Sequence, residues 1–279
     1  MTESDGSERD EIVNDLQLSI ASMNGDMSTS TNDAFTRSLF RMGVPVSSKR
    51  FFPSNIKGDP TRYLIRVNED GFQSFKDVID WTVVLFEDNA AEDIQRVRSD
   101  GVCMFDPSSN LGEQIKTDLE EENEASDYYR DDLVYYQVPF EELAEENYEG
   151  TRLRKIMHNV IYVGALMGLL DVGMDHIEGI IRENFAAKGQ KIVDSNLRAV
   201  EIGMEYVEEN IEKRDPYRLD ERDLNEDKRF MDGNDASALG AVMGGCSYAS
   251  WYPITPASSH GENLEKFSEA YPLIVEQGE

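Results

Sequence analysis

Apolar residues change their spacing along this chain, and the changes leave few architectures open. Leu16, Leu18 and Ile20 fall two apart with polar residues between them, the pattern of a strand with one buried face. Phe35, Leu39 and Met42 then fall four and three apart, as on one side of a helix. Tyr63, Ile65 and Val67 alternate again, and Asn68-Glu69-Asp70-Gly71 reads as a turn. Trp81 to Phe86, Val102 to Phe105 and Leu133 to Val138 predict further strands, with a short helix over 90–99 between the first two. Residues 114–132 are dominated by acids and predict an exposed helix or loop, without the spaced oxygen ligands that calcium needs. Strand and helix patterns in alternation point to α/β layers.

From Thr151 the helical period takes over. Ile156, Val160, Val163, Met167 and Leu170 mark the buried face of a long helix, and Gly164 and Gly168 flank it where a neighbour can approach closely. A second helix is expected with Asp175 as its cap and Glu178 three residues on, ending near Gly189; a third carries Leu197, Met204, Val207 and Ile211. The methionines on these faces read as core. Residues 213–230 are charged, contain a proline and lack an apolar period, so they predict a linker. Residues 1–14 are polar and predict a mobile tail.

Charge restricts the partners. The 27 basic and 56 acidic residues give a net charge of −29, with the acids spread throughout the chain. In molar salt the Debye length falls to about 3 Å, which relieves such self-repulsion, so the composition points to a halophilic setting. Nucleic acid and anionic membranes are poor partners for this surface. Cys103 and Cys246 are far apart, so no disulfide framework, zinc site or iron-sulfur cluster can be assembled from this chain alone. His158, His176 and His260 lack second ligands at metal spacing. The start, MTESDGSERDE, has neither a basic nor an apolar signal region, and no apolar run approaches the roughly 18 residues of a membrane span; a cytoplasmic location is the expectation.

The stretch from Gly233 to Ser259 carries the chemistry. Asp235 reads as the cap of a short helix bearing Ala238, Leu239 and Val242, which Gly244 and Gly245 terminate before a strand ending at Trp251-Tyr252. Pro253 and Pro256 then fix their own φ and push Tyr252 and Thr255 toward extended backbone. A stiff loop at the carboxyl end of a strand is where open α/β sheets bind ligands, and Thr255 and Tyr252 bring polar groups to it. A plain rigid turn is the competing reading.

Gly233-Asn234-Asp235, Ala238-Leu239-Gly240 and Trp251-Tyr252-Pro253-Ile254-Thr255-Pro256-Ala257-Ser258-Ser259 together resemble the opening of the pyrimidine-binding domain of 2-oxoacid:ferredoxin oxidoreductase alpha subunits. The resemblance implies that Tyr252, Pro253, Thr255 and Pro256 line the site of thiamine diphosphate and the 2-oxoacid, with Thr255 on the substrate. The strand Leu273 to Glu279 is similar to the one leading to the glutamate that activates the aminopyrimidine ring, a role implied for Glu279.

Phe51 to Tyr63, with Ser54-Asn55-Ile56-Lys57-Gly58, resembles the gamma-type domain fused ahead of the pyrimidine domain in these subunits. Lys57 would steer an anionic substrate or coenzyme A, with Ser54 and Asn55 beside it. From the residues alone, Lys49, Arg50, Lys57 and Arg62 form a cationic cluster that either receives an anion or pairs with the chain's own acids. The turn from Asn24 to Ser30 has one glycine where a dinucleotide fingerprint needs three, so it reads as a plain strand-to-helix turn.

The fold expectation is therefore a gamma-type three-layer α/β domain over 15–212, a linker over 213–230, and over 231–279 the incomplete start of a thiamine diphosphate-binding α/β domain. The resemblance implies oxidative decarboxylation of a 2-oxoacid to an acyl-CoA, with electrons passed to ferredoxin. Thiamine diphosphate, Mg2+ and a [4Fe-4S] cluster would be held mainly by a partner beta subunit in a hetero-oligomer, with coenzyme A as co-substrate. A truncated, non-catalytic fragment or assembly module of that complex is the alternative, and a nucleotide-binding α/β oxidoreductase is a weaker third. The charge predicts that transfer from molar salt to dilute buffer lowers the thermal midpoint in a circular-dichroism salt series; an unchanged midpoint would remove the halophilic reading.

Overall fold

The computed structural model describes residues 11–22, 28–51 and 61–278. The chain divides between Glu226 and Asp227 into two compact units, each with its own core. In the first unit come β1 (Ile12–Val13), β2 (Asp15–Ser22), α1 (Ser28–Arg41), β3 (Val46–Phe51), β4 (Thr61–Asn68), β5 (Ile79–Val84), α2 (Glu87–Gln95), β6 (Val97–Phe105), α3 (Asn110–Glu120) and β7 (Val134–Gln137). They are followed by α4 (Phe140–Asn147), α5 (Thr151–Leu169), α6 (Met174–Phe185), α7 (Gln190–Asn210) and β8 (Tyr217–Arg218).

Six of these strands form one sheet in the order β3-β4-β2-β5-β6-β7, with β2, β5, β6 and β7 parallel and β4 antiparallel to both of its neighbours. The alternation read in the sequence sorts the two faces. Leu16, Leu18, Ile20, Trp81, Val83, Val102 and Met104 pack with α1, α4, α5, α6 and α7. Val84, Cys103 and Phe105 pack with α2 and α3 on the other side. All six positions of β5 are buried, as befits a strand covered on both faces. The result is the expected layered α/β unit.

Several boundaries differ from the sequence reading, each for a physical reason. β5 starts at Ile79, two residues before the predicted Trp81, and includes the buried Asp80. Its carboxylate accepts the Gln17 backbone N–H at 2.7 Å and lies 3.3 Å from the Lys76 ammonium, so a charge sits inside a strand where hydropathy alone would not place it. The helix expected over 90–99 is instead α2, over Glu87–Gln95, because Val97 already opens β6, whose next three residues are exposed. Helix α6 is capped by Gly173 and not by Asp175, since the core contact of Met174 starts the helix two residues earlier.

Residues 1–10 of the expected tail lie outside the described residues, whereas residues 12–13 form β1, which pairs in parallel with β8 inside the expected linker. Buried Asn14 donates to the Asp220 carbonyl at 3.1 Å and accepts the Asp220 N–H at 2.9 Å. Tyr217 and Leu219 enter the main core, and the Asn225 amide donates to the carbonyls of Phe40 and Val44. The first unit thus runs well past residue 212. Side-chain amides bonded to backbone, which carry no periodic signal, hold these segments in place.

Helices α5 and α7 meet backbone to backbone. A Cβ on Gly164 would lie 2.1 Å from the Val200 carbonyl oxygen, and one on Gly203 would lie 2.2 Å from that of Ile161. The close approach expected at Gly164 occurs at this crossing. Replacing Gly164 by alanine is expected to destabilise the unit by about 1–3 kcal/mol through overpacking, read as a lower urea midpoint; an unchanged midpoint would show that the crossing is loose.

Candidate functional site

The second unit contains α8 (Gly233–Met243), β9 (Tyr248–Trp251), α9 (Ser258–Ser268) and β10 (Ile274–Gln277). β9 and β10 pair in parallel from Ile274 on Tyr248 to Gln277 on Trp251, with α9 as the crossover between them. Ala238, Val242, Leu264 and Leu273 form its small core. Asp232, not Asp235, caps α8: its carboxylate accepts the Asp235 N–H at 2.8 Å. The Asp235 carboxylate is instead engaged by the Asn263 amide of α9.

The twice-prolined loop leaves the carboxyl end of β9, where the sequence placed it. Tyr252, Pro253, Ile254, Thr255, Pro256 and Ala257 are all exposed, with Tyr252 at 56 %. The Thr255-Pro256 peptide is cis. Short backbone bonds fold the loop on itself: Ile254 N–H to Tyr252 O at 2.9 Å and Ala257 N–H to Ile254 O at 2.7 Å.

Helix α8 holds this loop from behind. The Asn234 side-chain amide donates to the Pro256 carbonyl at 2.7 Å and to the Ser259 hydroxyl at 2.8 Å, and a ring nitrogen of His260 lies 3.3 Å from the Asn234 carbonyl oxygen. Glycine at 261 is required by contact, since a Cβ there would fall 2.1 Å from the Trp251 indole. The Trp251 carbonyl accepts the Gly278 N–H at 2.7 Å, so the last described residue lies at the carboxyl edge of the pair, beside the start of the loop. Asn234 and Ser259 belong to the motif quoted above, but their spacing does not show the clamp, because the partners of Asn234 are 22 and 25 residues away along the chain.

Tyr252, Pro253, Thr255 and Pro256 are all exposed on the one loop after β9. Pro53, Ser54, Asn55 and Lys57 lie outside the described residues, as do Glu279 and residues 23–27 of the Asn24 to Ser30 turn. Of the cationic cluster, Arg50 pairs with Asp33 at 2.7 Å, and Arg62 pairs with Glu92 and Asp93, each at 2.9 Å. For these two arginines, pairing with the chain's own acids is the reading that holds. Burial pushes the Asp93 carboxyl up to about 6 against the pull of Arg62. Lys49 lies over the Phe51 ring at 4.7 Å. Among the described residues no group of three or more His, Cys, Asp or Glu is placed to hold a metal ion, and none of their helices is long and apolar enough to cross a membrane.

Several proteins share this fold. The chain is 24% identical over 284 residues to the alpha subunit of 2-oxoacid:ferredoxin oxidoreductase 2 from Aeropyrum pernix, an alignment covering 91% of this chain and 43% of that subunit. The 2-oxoglutarate:ferredoxin oxidoreductase of Magnetococcus marinus, solved with 2-oxoglutarate, coenzyme A and succinyl-CoA bound, superposes with a TM-score of 0.78 at 22% identity, over 95% of this chain and 43% of that one. The gamma subunit of a keto/oxoacid ferredoxin oxidoreductase from Geobacter sulfurreducens gives a TM-score of 0.50 at 14% identity, over 68% of this chain and 96% of that one. The chain thus spans less than half the length of the alpha subunit from Aeropyrum pernix and of the matched chain from Magnetococcus marinus. The family model for pyruvate ferredoxin/flavodoxin oxidoreductase matches residues 17–206, and with that match over most of its length the chain belongs to this family.

Proposed function

We propose that this chain forms part of the alpha subunit of a 2-oxoacid:ferredoxin oxidoreductase and that the loop from Tyr252 to Pro256 is one wall of its substrate pocket. The observation that carries this reading is the outward-facing Thr255 on a loop pinned from behind by Asn234, at the carboxyl edge of a parallel strand pair. From Ala236 to Ser259 the sequence has no acidic or basic residue, in a chain with 56 acids. An anionic 2-oxoacid therefore meets neutral donors and apolar surface on this wall instead of a repelling carboxylate.

In the proposed reaction the bond between the carboxylate and the keto carbon breaks and carbon dioxide leaves. The keto carbon gives up two electrons to ferredoxin and forms a thioester with coenzyme A, whose thiol releases a proton. Thiamine diphosphate with Mg2+ would supply the electron sink and a [4Fe-4S] cluster the electron exit, both held mainly by a partner beta subunit in a cytoplasmic hetero-oligomer. The Thr255 hydroxyl donates a hydrogen bond to the substrate oxygen, Tyr252 shields the pocket from water, and the two prolines keep both in register. Lys57, with Ser54 and Asn55, would attract the anion or coenzyme A, and Glu279 would be the acid that activates the aminopyrimidine.

The outer face of the β9–β10 pair supports a partner. Tyr248 and Ile274 stand opposite each other in register and are 59 % and 61 % exposed, and Tyr252, in the loop that follows β9, is exposed as well. Apolar surface of this kind marks interfaces.

Co-expression with a beta subunit and a 2-oxoacid-dependent dye-reduction assay test the reading. Thr255→Ala is expected to lower kcat/KM by about tenfold or more, with Thr255→Ser retaining most of it. Full activity in Thr255→Ala would defeat the assignment, and a stable parental complex without turnover would favour the assembly-module alternative.

A further inference from the structure

Stiffness and placement are separate properties of the loop after β9. Pro253 and Pro256 restrict its torsions, but they also remove two backbone N–H groups, so the loop has few donors with which to anchor itself. Its internal bonds, from Ile254 N–H to the Tyr252 carbonyl and from Ala257 N–H to that of Ile254, keep its shape and tie it to nothing else. The entry is held, because the Gly278 N–H reaches the Trp251 carbonyl on the strand pair at 2.7 Å. The exit is not secured by α9 itself, whose N-cap is Ala257 and whose first turn receives no side-chain cap.

Asn234 supplies the missing anchor. Its side-chain nitrogen donates to the Pro256 carbonyl at 2.7 Å and to the Ser259 hydroxyl at 2.8 Å, one on each side of the point where the loop becomes α9. The neighbouring Asp235 carboxylate takes the Asn263 amide, a parallel link that keeps α8 and α9 at a fixed spacing. To close α8 on α9, the bond to Ser259 would be enough; the bond to Pro256 reaches further, into the bend next to Thr255. Among the described residues no other side chain bonds to the backbone of 252–257, and the exposed Thr255 hydroxyl itself bonds to none of them, so it stays available to a ligand.

We propose that Asn234 is a positioning residue for Thr255: acting through the Pro256 carbonyl, its carboxamide sets where the Thr255 hydroxyl meets the substrate oxygen. This rests on the reading of Thr255 as the substrate contact. Donation is what the position requires. A carboxylate of the same shape would set an acceptor against the Pro256 carbonyl, so aspartate cannot replace the asparagine. The lever is large, since a shift of about 1 Å in a group that orients substrate costs up to about a hundredfold in rate.

Two measurements test this. Hydrogen exchange of the whole folded chain, read by mass spectrometry, compares the parent with Asn234→Ala and Asn234→Asp. Exchange about tenfold faster is expected from Ile254 to Gly261 in both variants, while Ile274, bonded to the Ser247 carbonyl, and Gly244, bonded to that of Gly240, exchange as in the parent. The proposal is overturned if the loop exchanges no faster, if Ile274 and Gly244 are released with it, or if Asn234→Asp keeps the protection of the parent. Dye reduction by the complex with the beta subunit then gives a double-mutant cycle. Asn234→Ala is expected to lower kcat/KM about tenfold in the parent and by less than about twofold in Thr255→Ala, because a hydroxyl that is gone cannot be misplaced. Equal losses in the two backgrounds, with Thr255→Ala itself impaired, would show an asparagine that is only structural and overturn this proposal alone. Full activity in Thr255→Ala would instead remove the substrate contact and this role with it, and the exchange result, which needs no turnover, would still decide whether Asn234 holds the loop.

Discussion

The contact of α5 with α7 governs the first unit, because two helices that touch through glycine backbone cannot be moved apart or rotated without losing the match. Gly164 against Val200 and Gly203 against Ile161 set the separation of the pair. With that separation fixed, Ile161, Leu166, Ala199 and Val200 bury at essentially zero exposure and close one face of the sheet. The other face needs only the shorter α2 and α3 over Val84, Cys103 and Phe105. Burial on that side pushes the Cys103 thiol up, so it behaves as a small apolar residue and not as a nucleophile.

Around this frame, the charged surface is less uniform than a net charge of −29 suggests. Many of the cations are spent inside the unit as clips between distant segments. Arg37 and Arg41 share Glu183, Arg66 takes Asp15, and Arg222 takes Glu69. Apart from that of the buried Arg66, these pairs are on the surface and contribute little each, so their use is in choosing which segments meet more than in stabilising the fold. What remains outside is largely anionic, and the run from Ala236 to Ser259, which has no charged residue, interrupts it.

The sequence showed the layers because they are written in apolar spacing: Leu16, Leu18 and Ile20 for β2, and Ile156 to Leu170 for α5. It failed where polar side chains do the holding. Asp80 in β5, Asn14 against Asp220 and Asn225 against Phe40 and Val44 are long-range bonds that leave no local pattern. Caps were displaced similarly: Asp175 and Asp235 have the right residue type, but core contacts and Asp232 began their helices elsewhere. In the candidate site the stiffness of the loop could be read from Pro253 and Pro256, since proline acts locally. Its placement by Asn234 could not, since that depends on residues brought near only by the fold.

A single carboxamide therefore joins three pieces of chain. Because Asn234 grips Pro256 and Ser259 together, a small translation of α8 would carry the bend and the first turn of α9 along as one block. Thr255 would then be carried by the travel of a helix, with its own torsions unchanged, so its position is set by a residue twenty-one places away in the sequence.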